Sequence, residues 1–511
     1  MRLGILTILS ATILVADAQI AATLQIAGTS SNQVVVSWLS GVPSLATFQE
    51  TTALANPIHW SNDFTGWINL NGSFVHPATG SQGFYRIVQS IPVFELAVFY
   101  NLDLEINPGK TMVFNGLVHG NGNIYVTGTS VSSPLRFLST VEAVQQVNLF
   151  ASPLDPRNVS RNGNVIFSNT TNNPINHAGM LYLGIGATNN PATILGLPPA
   201  GIDPASPTGQ SYIYNLADII ISNSAVGQFS VYYQNLYYLN PQTLIPYDIT
   251  NIVSHTTNTF YSFVTNVTFY DYREAKNVKA VQLDVSKFGQ WLTNSVSGLN
   301  YQNLNLTGST SKGHGLDVVY IYNGIPNASS QLPAVRVVNG AKLPSLFGLT
   351  VASQFPLYVF GNYNTTTNGV DFSTTMGDTT NTYPAALMGD AITVLSANWS
   401  DSSTAATSLP GRTPVSTTIN AATLQGIVPS NGSYYSGGLE NFLRLQENWD
   451  SGSPLTYNGS IAVLFSSQYA TNSWNSAYYG VPTRLWGFDP NFQNSGKLPP
   501  ATPMVVNQAS P

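Results

Sequence analysis

Four charged residues stand close together in a chain that is otherwise poor in charge. Asp271, Arg273, Glu274 and Lys276 follow Tyr270 within one short segment. Carboxylates next to cations can hold a polar ligand, or act as a general acid/base pair with a nearby carboxylate. The same pattern fits salt bridges that fix a turn before the next strand, and this interpretation is favoured because adjacent Arg and Lys compensate carboxylates. Asp271, Arg273 and Glu274 are therefore candidate binding residues.

Two further acidic sets have types and spacing that suit carbohydrate chemistry. Asp103 and Glu105 lie two residues apart on one predicted strand face, and Glu440, Glu447 and Asp450 surround Trp449. Paired carboxylates cleave glycosidic bonds in hydrolases, and lyases add calcium or a basic residue. A solvated strand face explains the alternation more simply, so we assign no catalytic residue.

Metal and cofactor chemistry finds little support in the sequence. The six histidines lack the close spacing of a zinc motif, and there are no cysteines for disulfides, thiolate metal sites or a thiol nucleophile. Nucleotide-binding and serine-hydrolase motifs are missing in any convincing context. The sequence therefore predicts no metal and no cofactor.

Paired tyrosines are the second kind of candidate binding residue. Among the 26 tyrosines, several are adjacent. The candidates are Tyr434, Tyr435, Tyr478 and Tyr479, and the other pairs are Tyr232–Tyr233 and Tyr237–Tyr238. Neighbouring strand residues face opposite ways, so one of each pair is expected to face water. Such rings suit carbohydrate stacking or protein contact, and sheet packing is an equal alternative.

The composition narrows the possible partners. Charged residues make up 8% of the 511 residues, and the formal net charge is −6. Nucleic-acid binding requires clustered cations, and no basic stripe or polybasic membrane patch is present. With 43% hydrophobic residues the chain can bury a large core. Abundant Gly, Asn, Thr, Val and Tyr favour sheets and turns over long helices.

The N-terminus has the features of an export signal. Arg2 precedes the apolar run Leu3–Val15, and Ala16–Ala18 matches a small-residue cleavage site. We therefore expect residues 1–18 to be a signal peptide and the protein to be exported to the periplasm, cell surface or medium. No later segment is apolar and long enough for an integral membrane span.

Residues 22–90 are expected to form a small β-sandwich, because short strand patterns alternate with turn signals. Val34–Trp38, Phe48–Thr52 and Phe84–Arg86 carry the pattern, with Trp60 and the Asn71–Gly72 turn between them. These residues resemble an immunoglobulin-like or fibronectin-like module that recurs in secreted bacterial proteins. The resemblance implies an accessory unit without catalytic function.

Residues 91–500 are expected to form a larger right-handed β-helix-like domain (β-solenoid), with residues 501–511 as a tail. Short apolar strands end at Gly or Asn, which tolerate tight corners. An irregular β-sandwich is the alternative. Two short helices are predicted, one at Val285–Ser295 and one at Leu439–Trp449. The fold class is thus all-β.

The larger domain also resembles type IV pilus assembly (PilX-like) proteins of bacteria, whose function is not assigned. The resemblance rests on several segments: Phe99–Gly109, Gly116–Tyr125, Phe269–Lys276, Gln282–Val285, Tyr435–Phe442 and Pro482–Trp486. It implies a β-helical envelope or appendage protein and no reaction. Pilin-like members begin with a prepilin leader and a long apolar helix, whereas a short cleavable signal and a sandwich are expected here.

These observations predict an exported structural or adhesive protein that binds polysaccharide or an envelope or appendage protein. It is more consistent with a binding protein than with an enzyme. The alternative is a secreted polysaccharide lyase or hydrolase on a β-helix.

Overall fold

The computed structural model describes residues 84–508, except for 129–133, 158–163, 169–172, 184–189, 205–206, 234–246, 249–262, 294–315, 346, 368–369 and 372–377. Of the earlier residues it describes five strands. The expected signal peptide, residues 1–18, and the tyrosines at 237 and 238 lie outside the described residues. The all-β class is confirmed, because about 40% of the chain is strand.

The first six strands form two antiparallel groups. They are β1 (Thr23–Gly28), β2 (Gln33–Leu39), β3 (Ser44–Thr51), β4 (Ser61–Ile68), β5 (Asn71–Pro77) and β6 (Phe84–Pro92). One sheet has the order β1-β2-β5, and β3, β4 and β6 belong to a second sheet. The expected boundary at residue 90 falls inside β6, which runs directly into the next part of the chain.

Next comes a series of very short strands with regular spacing. They are β7 (Val98–Tyr100), β8 (Leu104–Ile106), β9 (Met112–Phe114), β10 (Val118–Gly120), β11 (Ile124–Val126), β12 (Leu135–Phe137), β13 (Val141–Ala143), β14 (Val147–Asn148), β15 (Val165–Phe167), β16 (Ile175–Asn176) and β17 (Met180–Leu183). Every third strand pairs in parallel, so that β7, β10 and β13 share one sheet. The same rule places β8, β11 and β14 in a second sheet and β9, β12 and β15 in a third, whereas β17 belongs to a different, antiparallel pairing.

The second half of the chain contains longer strands. They are β18 (Ile219–Asn223), β19 (Phe229–Tyr233), β20 (Tyr247–Asp248), β21 (Val264–Asp271), β22 (Lys276–Asp284), β23 (Val318–Asn323), β24 (Gln331–Val338), β25 (Leu349–Ala352), β26 (Leu357–Phe360), β27 (Thr366–Thr367) and β28 (Val370–Asp371). They continue with β29 (Ala385–Gly389), β30 (Ile392–Leu395), β31 (Thr417–Asn420), β32 (Ala422–Ile427), β33 (Leu443–Leu445), β34 (Pro454–Gly459), β35 (Ile461–Ser466), β36 (Thr483–Phe488) and β37 (Met504–Gln508).

One sheet of twelve strands joins the two halves of the chain. Its order is β16-β13-β10-β7-β35-β32-β29-β25-β23-β18-β19-β20. Strand β7, the first of the short strands, pairs in parallel with β35, near the end of the chain, with Ile461 opposite Val98. We call this β7–β35 pairing the seam. The chain therefore enters this sheet in the middle with β7 and adds strands up to β16 at one edge. It continues at the opposite edge with β18, β19 and β20 and returns to the middle with β35.

The strands of this sheet are apolar on both sides, which explains their sequences. All five residues of β29 and the first five of β35 are buried. Parallel strands that are covered on both faces have continuous apolar sequences instead of alternating ones. One large hydrophobic cluster includes Val98, Leu349 and Val463, and a second on the opposite face includes Phe99, Met388 and Leu464.

Asparagines connect neighbouring strands where the chain turns. Asn420 lies at the end of β31 and is 2% exposed. Its amide nitrogen donates to the backbone oxygen of Asn364 at 3.0 Å, and its side-chain oxygen accepts from Asn458 at 2.8 Å. Both polar atoms of the Asn420 side chain are therefore hydrogen-bonded, as is usual for a buried amide. Only Asn364 of the three has a positive φ, 56°.

The described residues include three short α-helices, α1 (Pro207–Gln210), α2 (Ile213–Leu216) and α3 (Val285–Thr293). Helix α3 confirms the helix predicted there, and it buries Phe288 and Leu292. The second predicted helix was wrong. Residues Leu439–Asn441 form a 3-10 turn, β33 follows, and Trp449–Ser451 form another 3-10 turn. Every side chain from Leu439 to Glu447 is buried, so the apolar residues do not mark a single helical face.

The strand face expected for Asp103 and Glu105 differs from the structure, because β8 begins at Leu104 and includes only Glu105 of the two. The C-terminal tail contains β37, which pairs with both β6 and β17 in a five-stranded sheet of order β17-β37-β6-β3-β4. Backbone pairing therefore holds the end of the described chain.

Candidate functional site

The charged segment at 271–276 is a hairpin turn, and a hydrogen bond between its own residues stabilises it. Strands β21 and β22 are antiparallel, with Asp271 opposite Lys276. The backbone nitrogen of Glu274 donates to Asp271 Oδ1 at 2.7 Å, and Ala275 has a φ of 54°. An aspartate that accepts from the backbone three residues ahead stabilises a turn locally.

Asp271 is buried and fully used in structural contacts. Its Oδ2 accepts from the Tyr358 hydroxyl at 2.6 Å and from the Gln446 side-chain nitrogen. Tyr358 lies on β26 and Gln446 follows β33. Asp271 thus connects the hairpin to two other segments.

Glu274 takes part in a buried ion pair. Its Oε1 accepts from Arg444 Nη1 at 2.8 Å, and the two side chains are 1% and 7% exposed. Its Oε2 accepts from the backbone nitrogen of Asn472 at 3.1 Å. Burial raises the pKa of Glu274, while the Arg444 charge opposes that shift.

Arg273 is as buried as its neighbours but has far fewer partners. It is 6% exposed, and its Nε donates to the Asn472 backbone oxygen at 3.0 Å. Among the described residues this is its one side-chain hydrogen bond, and it forms no ion pair. Burial lowers the pKa of Arg273 to about 9, and the nearby Arg444 charge adds to the shift.

Arg273 and Arg444 line a small cleft beside the seam. The lining also includes Tyr100 on β7, Glu105 on β8 and Asp103 between these strands. The remaining lining residues are Gly426, Ile427, Val428, Ser436, Gly438, Asn441 and Phe442. Because β7 pairs with β35, the cleft combines side chains from the start of the short strands with side chains near the end of the chain.

Glu105 is buried in the lining of the cleft, against expectation. It is 8% exposed, whereas Asp103 is exposed and accepts from the Asn123 backbone nitrogen at 2.7 Å. The two carboxylates therefore do not form one solvated strand face. Burial raises the pKa of Glu105 to about 7; Asp155 and Glu440 raise it further, and Ser430 and Arg157 oppose the shift.

The second acidic set is also buried in part. The Glu440 carboxylate accepts from the Tyr435 hydroxyl and the Asn107 backbone nitrogen, both at 3.1 Å. Glu447 accepts from the Ser396 nitrogen and hydroxyl, both at 2.7 Å. Asp450 is exposed and pairs with Lys110. The three carboxylates therefore contact different segments of the chain and do not form one acidic site.

The candidate tyrosines are partly hidden. Tyr435 and Tyr479 are 4% and 6% exposed, and Tyr434 and Tyr478 are half-buried. The guanidinium of Arg157 lies 3.3 Å from the centre of the Tyr435 ring, which occupies that face. Only the half-buried member of each pair has a solvent-accessible side chain. The side chains of Tyr232 and Tyr233 lie outside the described residues.

The histidines contribute no cluster of metal ligands among the residues described. His119 is buried between Glu142 and Asn121, at 2.7 and 3.0 Å, whereas His177 is exposed. No group of three or more potential ligands lies together in the described ranges. Within the same ranges, none of the helices has the length and apolar character needed to cross a bilayer.

Comparison with protein-family models, with curated proteins and with solved structures gave no match. Sequence reasoning identified Asp103, Glu105, Arg273 and Glu274, but it missed Arg444 and the cleft. Arg444 lies between Leu443 and Leu445, and an arginine between two apolar residues of a strand is the signal that could have pointed to it.

Proposed function

We propose that the chain is an exported envelope or cell-surface protein that binds polysaccharide in the cleft beside the seam. The observation that carries this proposal is a cleft that has two cations and two carboxyl groups in its lining. These are Arg273, Arg444, Asp103 and Glu105, with Tyr100 beside them. Polar groups that converge on a concave surface, with an aromatic side chain beside them, are typical of ligand sites. Export rests on the signal-like residues 1–18.

We further propose that residues 91–500 wind as a right-handed β-helix and that the first strands form a small sandwich. Support comes from parallel pairing that recurs at every third strand, as in β7, β10 and β13. A β-helix gives long, fixed surfaces on which an extended polymer can lie.

A protein ligand from the envelope or a pilus is the related proposal. It follows from the resemblance to pilus assembly proteins, and a pull-down from envelope extracts tests it.

A lyase or hydrolase is the second candidate function, favoured by one observation. The raised pKa of Glu105, about 7, keeps part of that buried carboxyl protonated at neutral pH, as a general acid requires.

A variant that fills the cleft tests polysaccharide binding there. Ser436 lines the cleft, whereas Ser433 in the same loop is exposed and does not line it. We expect Ser436→Trp to abolish binding on a glycan array and Ser433→Trp to leave it unchanged. Equal binding by both variants would place the ligand elsewhere and refute the proposed site.

A further inference from the structure

Arg273 and Arg444, two cations that line the cleft, differ in their hydrogen-bond partners. Arg444 donates to Glu274 at 2.8 Å and to the Ala470 oxygen at 2.8 Å, so its terminal nitrogens are occupied. Arg273 uses Nε alone, for the Asn472 oxygen. Its terminal nitrogens have no hydrogen-bond partner among the described residues, although Arg273 is only 6% exposed.

The terminal nitrogens of a guanidinium that make no hydrogen bond within the protein can pair with an acceptor from a ligand. Hydrogen bonds to charged groups are stronger than neutral ones. The carboxylates of Asp271 and Glu274 act on the Arg273 charge but hydrogen-bond elsewhere, Asp271 to Tyr358 and Gln446, and Glu274 to Arg444. Because Arg273 lines the cleft, an acceptor bound there can pair with its terminal nitrogens.

We propose that the cleft binds an acidic polysaccharide through a sugar carboxylate that pairs with the free end of Arg273. The flat fork of a guanidinium matches the two oxygens of a carboxylate. Asp103 and Glu105, which also line the cleft, disfavour groups of higher negative charge, such as a phosphate dianion. The inference rests on the proposed function and specifies its ligand as a uronic-acid polymer.

Calorimetric titration with matched oligosaccharides tests this inference. The ligands are trigalacturonate, its neutral methyl ester and a sulfated galactose trisaccharide. We expect the protein to bind trigalacturonate at least about tenfold more tightly than the ester, as a charge-assisted hydrogen bond provides. Equal binding of acid and ester, or tighter binding of the sulfated sugar, would overturn the inference.

Two substitutions locate the contact. Arg273→Met should weaken trigalacturonate binding by about 10- to 100-fold and leave ester binding unchanged. Arg136→Met is the matched control, because Arg136 is an exposed cation on β12, and its effect should stay within about twofold. Arg273→Lys keeps the positive charge but not the two parallel donors of the guanidinium. Its loss of affinity for trigalacturonate should therefore be intermediate. Unchanged binding by Arg273→Met would refute the assignment.

Failure of this inference is distinct from failure of the proposed function. If Ser436→Trp abolishes binding of acid and ester alike, and both bind wild type equally, the cleft is a saccharide site without carboxylate recognition. If Ser436→Trp has no effect, the cleft is not the site and both proposals fail. Should Arg273→Met not fold, the acid-to-ester ratio of the wild type still decides the inference.

Discussion

At the scale of single residues, the Arg444–Glu274 pair contributes to stability through contacts that water cannot replace. Removing one partner of a buried ion pair leaves an uncompensated charge, and this costs about 3–5 kcal/mol. We expect Arg444→Met to lower the free energy of unfolding by that amount in urea denaturation. The exposed Lys110–Asp450 pair, with side chains 41% and 68% exposed, is the control. Lys110→Met should cost about 1 kcal/mol or less, and equal costs for both variants would contradict this account.

Glu105 gives stability a defined pH dependence. Its folded pKa of about 7 lies above the ordinary value of 4.5, so the folded state binds the proton more tightly than the unfolded state. This contribution is present below pH 4.5 and is lost as the pH rises through about 7. The charged and titratable groups that act on it are Asp155, Glu440, Arg157, Tyr100, Tyr125 and Tyr435.

Glu105→Gln removes that titration. Relative to wild type, the variant should gain stability between pH 5 and pH 8, by up to about 3 kcal/mol for a shift of this size. Urea denaturation at both pH values measures the gain. A difference between variant and wild type that does not change with pH would show that Glu105 is not protonated in the folded state.

At the scale of elements, the asparagine contacts at the strand ends hold successive strands in register. Asn420→Ala removes the acceptor of Asn458 and the donor to Asn364, leaving both without these partners in a buried site. We expect a loss of about 2–3 kcal/mol.

Asn123→Ala is the matched control for this prediction. Asn123 donates to Gln145 in an exposed hydrogen bond, so its loss should cost about 0.5 kcal/mol or less. Thermal melts of both variants make the comparison. Equal destabilisation would mean that burial of the asparagine contacts does not determine their contribution.

Local sequence patterns predicted elements well where one periodicity dominates. Phe288 and Leu292 lie four residues apart and bury one face of α3, as a helix requires. Leu439 and Phe442 suggested the same, but Gly437 and Gly438 precede them with φ values of 95° and 67°, and both faces of β33 are buried. The apolar residues of this segment mark no single face, because the polar residues between them are buried as well.

At the scale of the whole molecule, the two ends of the described chain support each other. Strand β37 lies between β6 and β17 and pairs with both. Deleting residues 504–511 should therefore leave two edges unpaired and lower the thermal midpoint by several degrees. Deleting 509–511 alone removes no described strand residue and should leave the midpoint unchanged. Equal midpoints for both deletions would contradict a structural role for β37.

The cleft could not be predicted from the sequence, because its walls are distant along the chain. The hydrogen bond from Asn101 to the Leu464 oxygen crosses the seam over 363 residues, and Arg273 meets Asn472 over 199 residues. Such long-range pairing leaves no local pattern. Composition predicted the all-β class, and residue type pointed to Arg273 and Glu105, but neither their burial nor their shared cleft.

Binding of polysaccharide without cleavage is the central claim, and one paired measurement tests it most directly. The protein lacking residues 1–18 is applied to a glycan array, and release of reducing ends from the same polysaccharides is measured in parallel. The account predicts binding of uronic-acid polymers with no release. Release of reducing ends, or no binding to any polysaccharide, would contradict it.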